Sequence, residues 1–292
     1  MRRVLLAMTG KASGENVRWA FKVTDWRPTL EELKLACSCI QEEEKHRLAK
    51  FVFRNDFDAS LVGRLMMRKF VSEATGVDYS SVLLERDERQ KPFWRNSTGI
   101  NVDFNVSHQG DYCVLAGCVS RECHMKIGVD VMKIEYSGGK SLSEFFRLMT
   151  KNFSPFEWKS IFSRSRDVDQ IGAFMRHWCL KEAYVKNLGV GITVDLQRIS
   201  FQLGSMELTD TPTMATKLFL DEKIATEWKF EESLIDSQHC VAVSLLNTPQ
   251  SPPYVPPQFE RVTFEQLMQN AKPLLPIDDS YCHNIQQKEY KS

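Results

Sequence analysis

Gln41-Glu42-Glu43-Glu44 and Ser154-Pro155-Phe156-Glu157 lie 113 residues apart, and each sets a polar residue three positions before a Glu. That pattern starts a helix. The same separation relates Leu61, Val62 and Leu65 to Phe174, Met175 and Trp178, Gly76-Val77 to Gly189-Val190, and Leu83 to Leu196. After a small insertion the likeness resumes. Phe104-Asn105-Val106-Ser107 followed by Tyr112-Cys113-Val114-Leu115-Ala116 resembles Phe230 to Ser233 followed by His239-Cys240-Val241-Ala242-Val243. Caps and apolar stripes recur by chance, but a register unbroken over about 40 positions favours duplication. Each half reads as a strand, a short helix, a long helix ending at Gly, and a hairpin. The predicted fold class is therefore α+β, a pseudo-twofold pair of similar α+β halves spanning 1–120 and 121–247. Such halves commonly hold their ligand at the seam between them.

Beyond Asn247 the composition changes. Ser251-Pro252-Pro253-Tyr254-Val255-Pro256-Pro257 cannot join a sheet or continue a helix, so 248–292 reads as a Pro-rich linker and tail. Phe264 to Ala271 fits a short amphipathic helix that docks back, and the remainder is expected to be mobile.

The 292 residues carry 38 basic and 38 acidic side chains, so no global field draws the chain to nucleic acid or membrane. Any anion site must be local. The apolar run within Met1 to Met8 ends at Thr9-Gly10-Lys11, too short for a signal peptide core. Eight cysteines show no CxxC spacing, and Cys113 and Cys240 sit inside apolar runs, which suits a reduced, cytoplasmic protein. Cys118, Cys123 and His124 make only a fragment of a metal-binding pattern.

In the long helix expected from Gln170 to Leu188, Ile171, Phe174, Met175 and Trp178 define one buried face. Glu182 falls about 20° from Ile171 on that face, where a carboxylate is costly unless paired. An i,i+4 bridge to Lys186 is the plain alternative. The equivalent of Glu182 in the first half is Lys69, so the halves are expected to face each other with opposite charges.

In the strand Ile127 to Lys133, alternation puts Ile127, Val129 and Val131 on one side, and Asp130 and Met132 on the other. Asp130 with Glu182 would form an oxygen-rich site suited to Mg²⁺ and phosphates. Ser107-His108 invites a nucleophile–base reading, but neighbours on a strand point to opposite faces, so a phosphate- or ribose-binding hairpin end suits the pair better. Arg86-Asp87-Glu88-Arg89-Gln90-Lys91-Pro92, taken alone, is a charged turn. No GxxxxGK[ST] or GxGxxG loop is present, which sets aside the common nucleotide-dependent kinases.

Trp178-x-x-Lys181-Glu182-Ala183-x-x-Lys186, Gly128-Val129-Asp130, Asn105-Val106-Ser107-His108 and Arg86…Lys91-Pro92 occur in the order found in Sfp-like 4′-phosphopantetheinyl transferases. Val17-Arg18-Trp19-Ala20-Phe21 and the layout of about residues 15 to 247 look most like the animal members acting on L-aminoadipate-semialdehyde dehydrogenase. The resemblance implies a monomeric enzyme that binds coenzyme A between its halves. It would move the phosphopantetheine arm to a serine of acyl- or peptidyl-carrier domains, of the fatty acid synthase or aminoadipate-semialdehyde dehydrogenase type. By position, Asp130 and Glu182 would hold Mg²⁺, with Asp130, Glu182 and Lys186 as the catalytic set. Arg47, Arg86, Arg89, Gln90, Lys91, Asn105, Val106, Ser107, His108 and Lys186 would hold the coenzyme. Two departures stand out. Met132 occupies a place where many relatives carry an acidic residue, so water would complete the metal shell there. Gln90 stands where relatives often have Gly.

Overall fold

The computed structural model describes residues 16–95, 99–120, 125–189, 191, 194–248 and 254–291. The N-terminal Met1 to Met8 run, Cys123, His124, Val190 and Ser251 to Pro253, all considered above, lie outside these residues. The first half runs β1 (Val17–Lys22), α1 (Leu30–Ser38), α2 (Glu42–Leu48), α3 (Arg54–Thr75), β2 (Leu84–Arg86), β3 (Pro92–Trp94), β4 (Asn101–Gln109) and β5 (Tyr112–Ser120). The second runs β6 (Lys126–Lys133), α4 (Leu142–Leu148), α5 (Pro155–Phe162), α6 (Asp167–Leu188), β7 (Ile199–Gln202), β8 (Lys217–Leu220), β9 (Lys223–Ile224), β10 (Trp228–Asp236) and β11 (His239–Leu246). β12 (Glu260–Arg261), α7 (Phe264–Met268) and α8 (Asp279–Gln286) follow. The α+β class expected from the sequence holds.

The repeat is visible in three dimensions. α3 and α6 are both 22 residues long, start 113 positions apart, and end on Gly76 and Gly189 in the left-handed conformation. One main sheet is ordered β12-β1-β5-β4 and the other β10-β11-β6, so β5 and β11 are the corresponding central strands. Each begins one turn after its hairpin partner: Tyr112 opposite Gln109, His239 opposite Asp236. The register breaks at one expected pair. Leu196, buried, opens a 3-10 turn whose counterpart is Tyr79–Ser81, whereas Leu83 is 47% exposed.

The two helix starts differ in chemistry. Ser154 and Glu157 form a reciprocal capping box at α5. Gln41 precedes α2 without capping it, because its longer amide reaches β2 and exchanges bonds with Leu84 N and O at 2.8 and 3.0 Å.

Ile127, Val129 and Val131 pack with Ala20, Val114, Ala116, Val241 and Val243 in a core shared by both sheets. The opposite face of β6 lies under α6. A Cβ on Gly128 would stand 2.2 Å from Ala183 O and 2.6 Å from Asn187 N, so only glycine lets α6 come this close.

The segment after Asn247 differs from expectation. Phe264 does start a helix that docks back, but the remainder is ordered rather than mobile. β12 pairs in parallel with β1, and Leu267, Cys282 and Ile285 are buried in the core of the first half. Phe264 stacks on Trp26 at 5.0 Å. Further on, Glu289 O accepts from Arg54 N at 2.8 Å, and Asn55 Oδ1 accepts from Lys291 N at 2.7 Å, so the tail caps the start of α3. Short helices with three apolar residues each give little periodicity to read. The seven described cysteines are all buried and free. Cys118 Sγ donates to Asp103 O at 3.5 Å, inside the protein.

Candidate active site

The two sheets meet at β4 and β6, which run side by side but are bridged by side chains. Ile127 N donates to Asp103 Oδ2 at 2.8 Å, Val129 N to Asn105 Oδ1 at 3.0 Å, and Lys133 N to Gln109 Oε1 at 2.5 Å. The constant separation of 24 residues marks a parallel register in which polar side chains replace carbonyls. Asn105 is thereby a seam residue, and Val106 faces the other way against the core of the first half.

Ser107 breaks this series. Its hydroxyl donates to Asp130 Oδ1 at 2.7 Å and accepts from Lys186 Nζ at 2.7 Å, while Lys186 Nζ also reaches Asp130 Oδ1 at 2.6 Å. Asp130 is 4% exposed, and its Oδ2 is buried without a hydrogen-bond partner among the described residues. Glu182, half-buried one turn before Lys186, has its pKa raised by burial and then by repulsion from Asp130, with Lys186 opposing. Lys186 therefore serves Asp130, and the plain i,i+4 bridge to Glu182 does not form among the described contacts. A buried carboxylate oxygen without a donor, beside a second carboxylate that resists ionising, is a donor set fitted to a hard divalent cation. Among the described residues no three His, Cys, Asp or Glu side chains gather as a metal cluster.

Met132 shares a strand face with Asp130, as alternation requires, but two residues further along it is partly buried against the core under α6. The rise of about 6–7 Å over two strand residues carries it from the seam into apolar packing. Its side chain is thus taken up at least in part by apolar packing. Lys69 also departs from expectation. Instead of facing Glu182, it pairs with Glu73 on its own helix at 2.5 Å, and its Nζ stands 5.9 Å from the Trp19 ring centroid. Lys181, the motif neighbour of Glu182, is fully buried and donates to Leu196 O at 2.8 Å and pairs with Glu157 at 2.8 Å, so its work is structural.

His108 points away from Ser107, its Nε2 3.5 Å from Ser60 Oγ on α3. It opens to solvent within a crevice, where desolvation and then the Lys186 charge lower its pKa. A cavity of about 330 Å³ extends from His108 to Asp56, Arg27 and Tyr290. At the other end of the seam, Asp87, Lys91, Asn101, Asp103 and Gly189 line a cavity of about 510 Å³. A groove of about 750 Å³ against α5 and β8 lies away from these residues and holds none of the expected site.

The Arg86–Lys91 turn reaches over the second half. Arg89 Nη1 donates to Gly189 O at 3.4 Å and Lys91 Nζ to Ile127 O at 3.4 Å. Asp87 organises the turn by accepting from Arg89 N and Lys91 N through one oxygen. Gln90 takes φ +67°, the left-handed conformation that glycine adopts most cheaply, and its side chain accepts from exposed Arg47 at 2.9 Å. Arg86 donates to Glu44 Oε1 at 2.9 and 2.7 Å and to Gln90 O at 2.8 Å. Glu44 also pairs with Arg64. Burial favours the neutral form of Glu44, but Arg64 and Arg86 outweigh it and hold its pKa below the usual range. In sequence Glu44 reads only as part of a helix start, and Ser60 and Arg64 do not stand out, since polar residues at helical spacing look like an ordinary solvated face.

The basic turn, the paired carboxylates and the lysine thus line one seam between two similar halves. Residues 24–120 match the family model of the 4′-phosphopantetheinyl transferase N-terminal domain, and residues 126–244 match that of the 4′-phosphopantetheinyl transferase superfamily. The chain is 40% identical over 286 residues to the L-aminoadipate-semialdehyde dehydrogenase-phosphopantetheinyl transferase of Xenopus laevis, covering 94% of this chain and 93% of that one. It is 39% identical to the protein of the same name from Homo sapiens, covering 92% and 90%. To 4′-phosphopantetheinyl transferase Sfp of Bacillus subtilis it is 25% identical, over 62% of this chain and 76% of that one. With both halves matched and the animal relatives covered almost end to end, the chain belongs to the 4′-phosphopantetheinyl transferase superfamily and is a transferase.

Proposed function

We propose that the chain transfers 4′-phosphopantetheine from coenzyme A to a serine of apo acyl- or peptidyl-carrier domains, with Mg²⁺ at Asp130 and Glu182. The observation that carries this reading is the Asp130–Ser107–Lys186 cluster, with a buried carboxylate oxygen left unpaired beside Glu182. Arg47, Arg86, Arg89, Gln90 and Lys91 would bind the nucleotide end of the coenzyme, and Ser107 and His108 its pyrophosphate, with Asn105 holding the seam beside them. The carriers proposed are those of the aminoadipate-semialdehyde dehydrogenase and fatty acid synthase types. The names of the animal relatives support the first of these.

In the reaction the serine oxygen attacks the β-phosphorus, and the phosphoanhydride oxygen leaves with adenosine 3′,5′-bisphosphate. Such a transfer needs neutralised charge and in-line placement more than covalent help from the enzyme. Bound Mg²⁺ would supply Lewis-acid stabilisation of the pyrophosphate. Lys186, held by Ser107 and Asp130, places a fixed ammonium at the seam for the charge that develops on the phosphates. Glu182 accepts the serine proton, and its raised pKa brings it closer to the working pH than an ordinary carboxylate. The test is to incubate the protein with coenzyme A, Mg²⁺ and an apo-carrier domain and to weigh the carrier by mass spectrometry. Gain of one phosphopantetheine with release of adenosine 3′,5′-bisphosphate is expected. Tight coenzyme A binding without any gain would recast the protein as a coenzyme A sensor.

A further inference from the structure

Glu44 is placed between two arginines from different elements. One oxygen accepts from Arg86 of β2 through Nε and Nη2, and the other accepts from Arg64 Nε of α3. The three side chains are 11–19% exposed, largely withdrawn from solvent. Arg64 stands one turn after Ser60, which lies 3.5 Å from His108, so it shares that face of α3. Its charge is felt there, helping to lower the pKa of His108. Among the described residues its Nη1 and Nη2 donate to no protein acceptor, and neither is a buried unsatisfied atom. One carboxylate therefore fixes two guanidinium groups, which leaves the cluster one positive charge in excess.

Resting on the donor-site reading above, we propose that Arg64 is a further phosphate-binding residue for coenzyme A, and that Glu44 is the positioning residue that holds it in line with Arg86. A fork anchored through Nε leaves its two outer nitrogens parallel, the geometry that matches a phosphate edge. Preorganisation by Glu44 removes the rotamer freedom an unanchored arginine would lose on binding.

Calorimetric titration of coenzyme A into wild type, Arg64→Met, Arg64→Lys and Glu44→Gln tests this, with steady-state kinetics and melting curves alongside. Arg64→Met should weaken coenzyme A binding about tenfold or more and raise its KM in parallel. The KM for apo-carrier should stay within about twofold of wild type. Arg64→Lys should recover part of the affinity. Glu44→Gln should weaken binding several-fold, and little further once Arg64 is already Met, as residues acting through one another do. Wild-type coenzyme A affinity in Arg64→Met, together with a lowered melting temperature, would reduce the cluster to a structural staple and overturn the proposal alone. No binding by wild type would remove the donor-site reading and this inference with it.

Discussion

Glu182 carries the cost of the site in its own ionisation. Burial and Asp130 raise its pKa, so the ionised carboxylate is less welcome in the folded chain than in the unfolded one. The stability tied to its proton is complete below the unfolded value of about 4.3 and is lost as pH rises through the higher folded value. Without a divalent cation, Glu182→Gln should therefore melt at or above wild type near neutral pH, with the gap closing at about pH 4. The same variant should lose about 10² or more in kcat. A Gln variant that melts well below wild type would contradict the first half of this account, and one that turns over normally would contradict the second. Met132 gives the converse case. Packed against the α6 core, it should tolerate Ala with a loss of about 1–3 kcal/mol, whereas Met132→Glu should lower the melting temperature sharply and leave the Mg²⁺ requirement unchanged. A variant that folds normally and needs less Mg²⁺ would return residue 132 to the metal.

At the scale of elements, the site depends on how closely α6 lies on β6. Gly128→Ala would drive a methyl group into Ala183 O and Asn187 N, both backbone atoms that cannot rotate away. Moving the helix would draw Lys186 and Glu182 from Asp130. The expected outcome is a loss of about 1–3 kcal/mol in stability and a larger fall in transfer rate, read from melting curves and kinetics on one preparation. Native stability with full rate would show that the contact is slack. The tail makes a similar point for the first half. A chain ending at Asn247 would uncover the core around Leu267, Cys282 and Ile285 and free the start of α3. It should be insoluble or unfold at markedly lower denaturant concentration; a soluble truncation with wild-type turnover would contradict that.

Across the whole molecule, duplication creates two seams, and the proposed chemistry lies at only one. Register makes Trp19, opposite Leu115, the counterpart of Asp130, opposite Ala242. In the first half Lys69 and Glu73 close on each other beside that tryptophan, whereas in the second Lys186 turns to Asp130 and leaves Glu182 facing the seam. The other seam, between β1 and β10, is sealed by the buried Arg18–Glu231 pair at 2.7 Å, with Tyr254 hydroxyl bonded to both. Much of this was legible beforehand. A carboxylate on an apolar stripe and an Asp between valines are local violations of pattern, and those point to a site. Glu44 and Arg64 violated nothing in sequence, and Lys69 could be placed opposite Glu182 only by assuming that matched positions meet. The tail was hidden because its short helices bury only a few side chains each.

The most direct test of the seam as the centre of transfer is a Mg²⁺ titration of carrier modification by wild type and Asp130→Ala, side by side, with intact carrier mass as the readout. Phosphopantetheine gain should rise with Mg²⁺ and saturate for wild type, and should be absent at every Mg²⁺ concentration for Asp130→Ala. Transfer by the variant at the wild-type rate, or by wild type in excess chelator, would place the chemistry elsewhere.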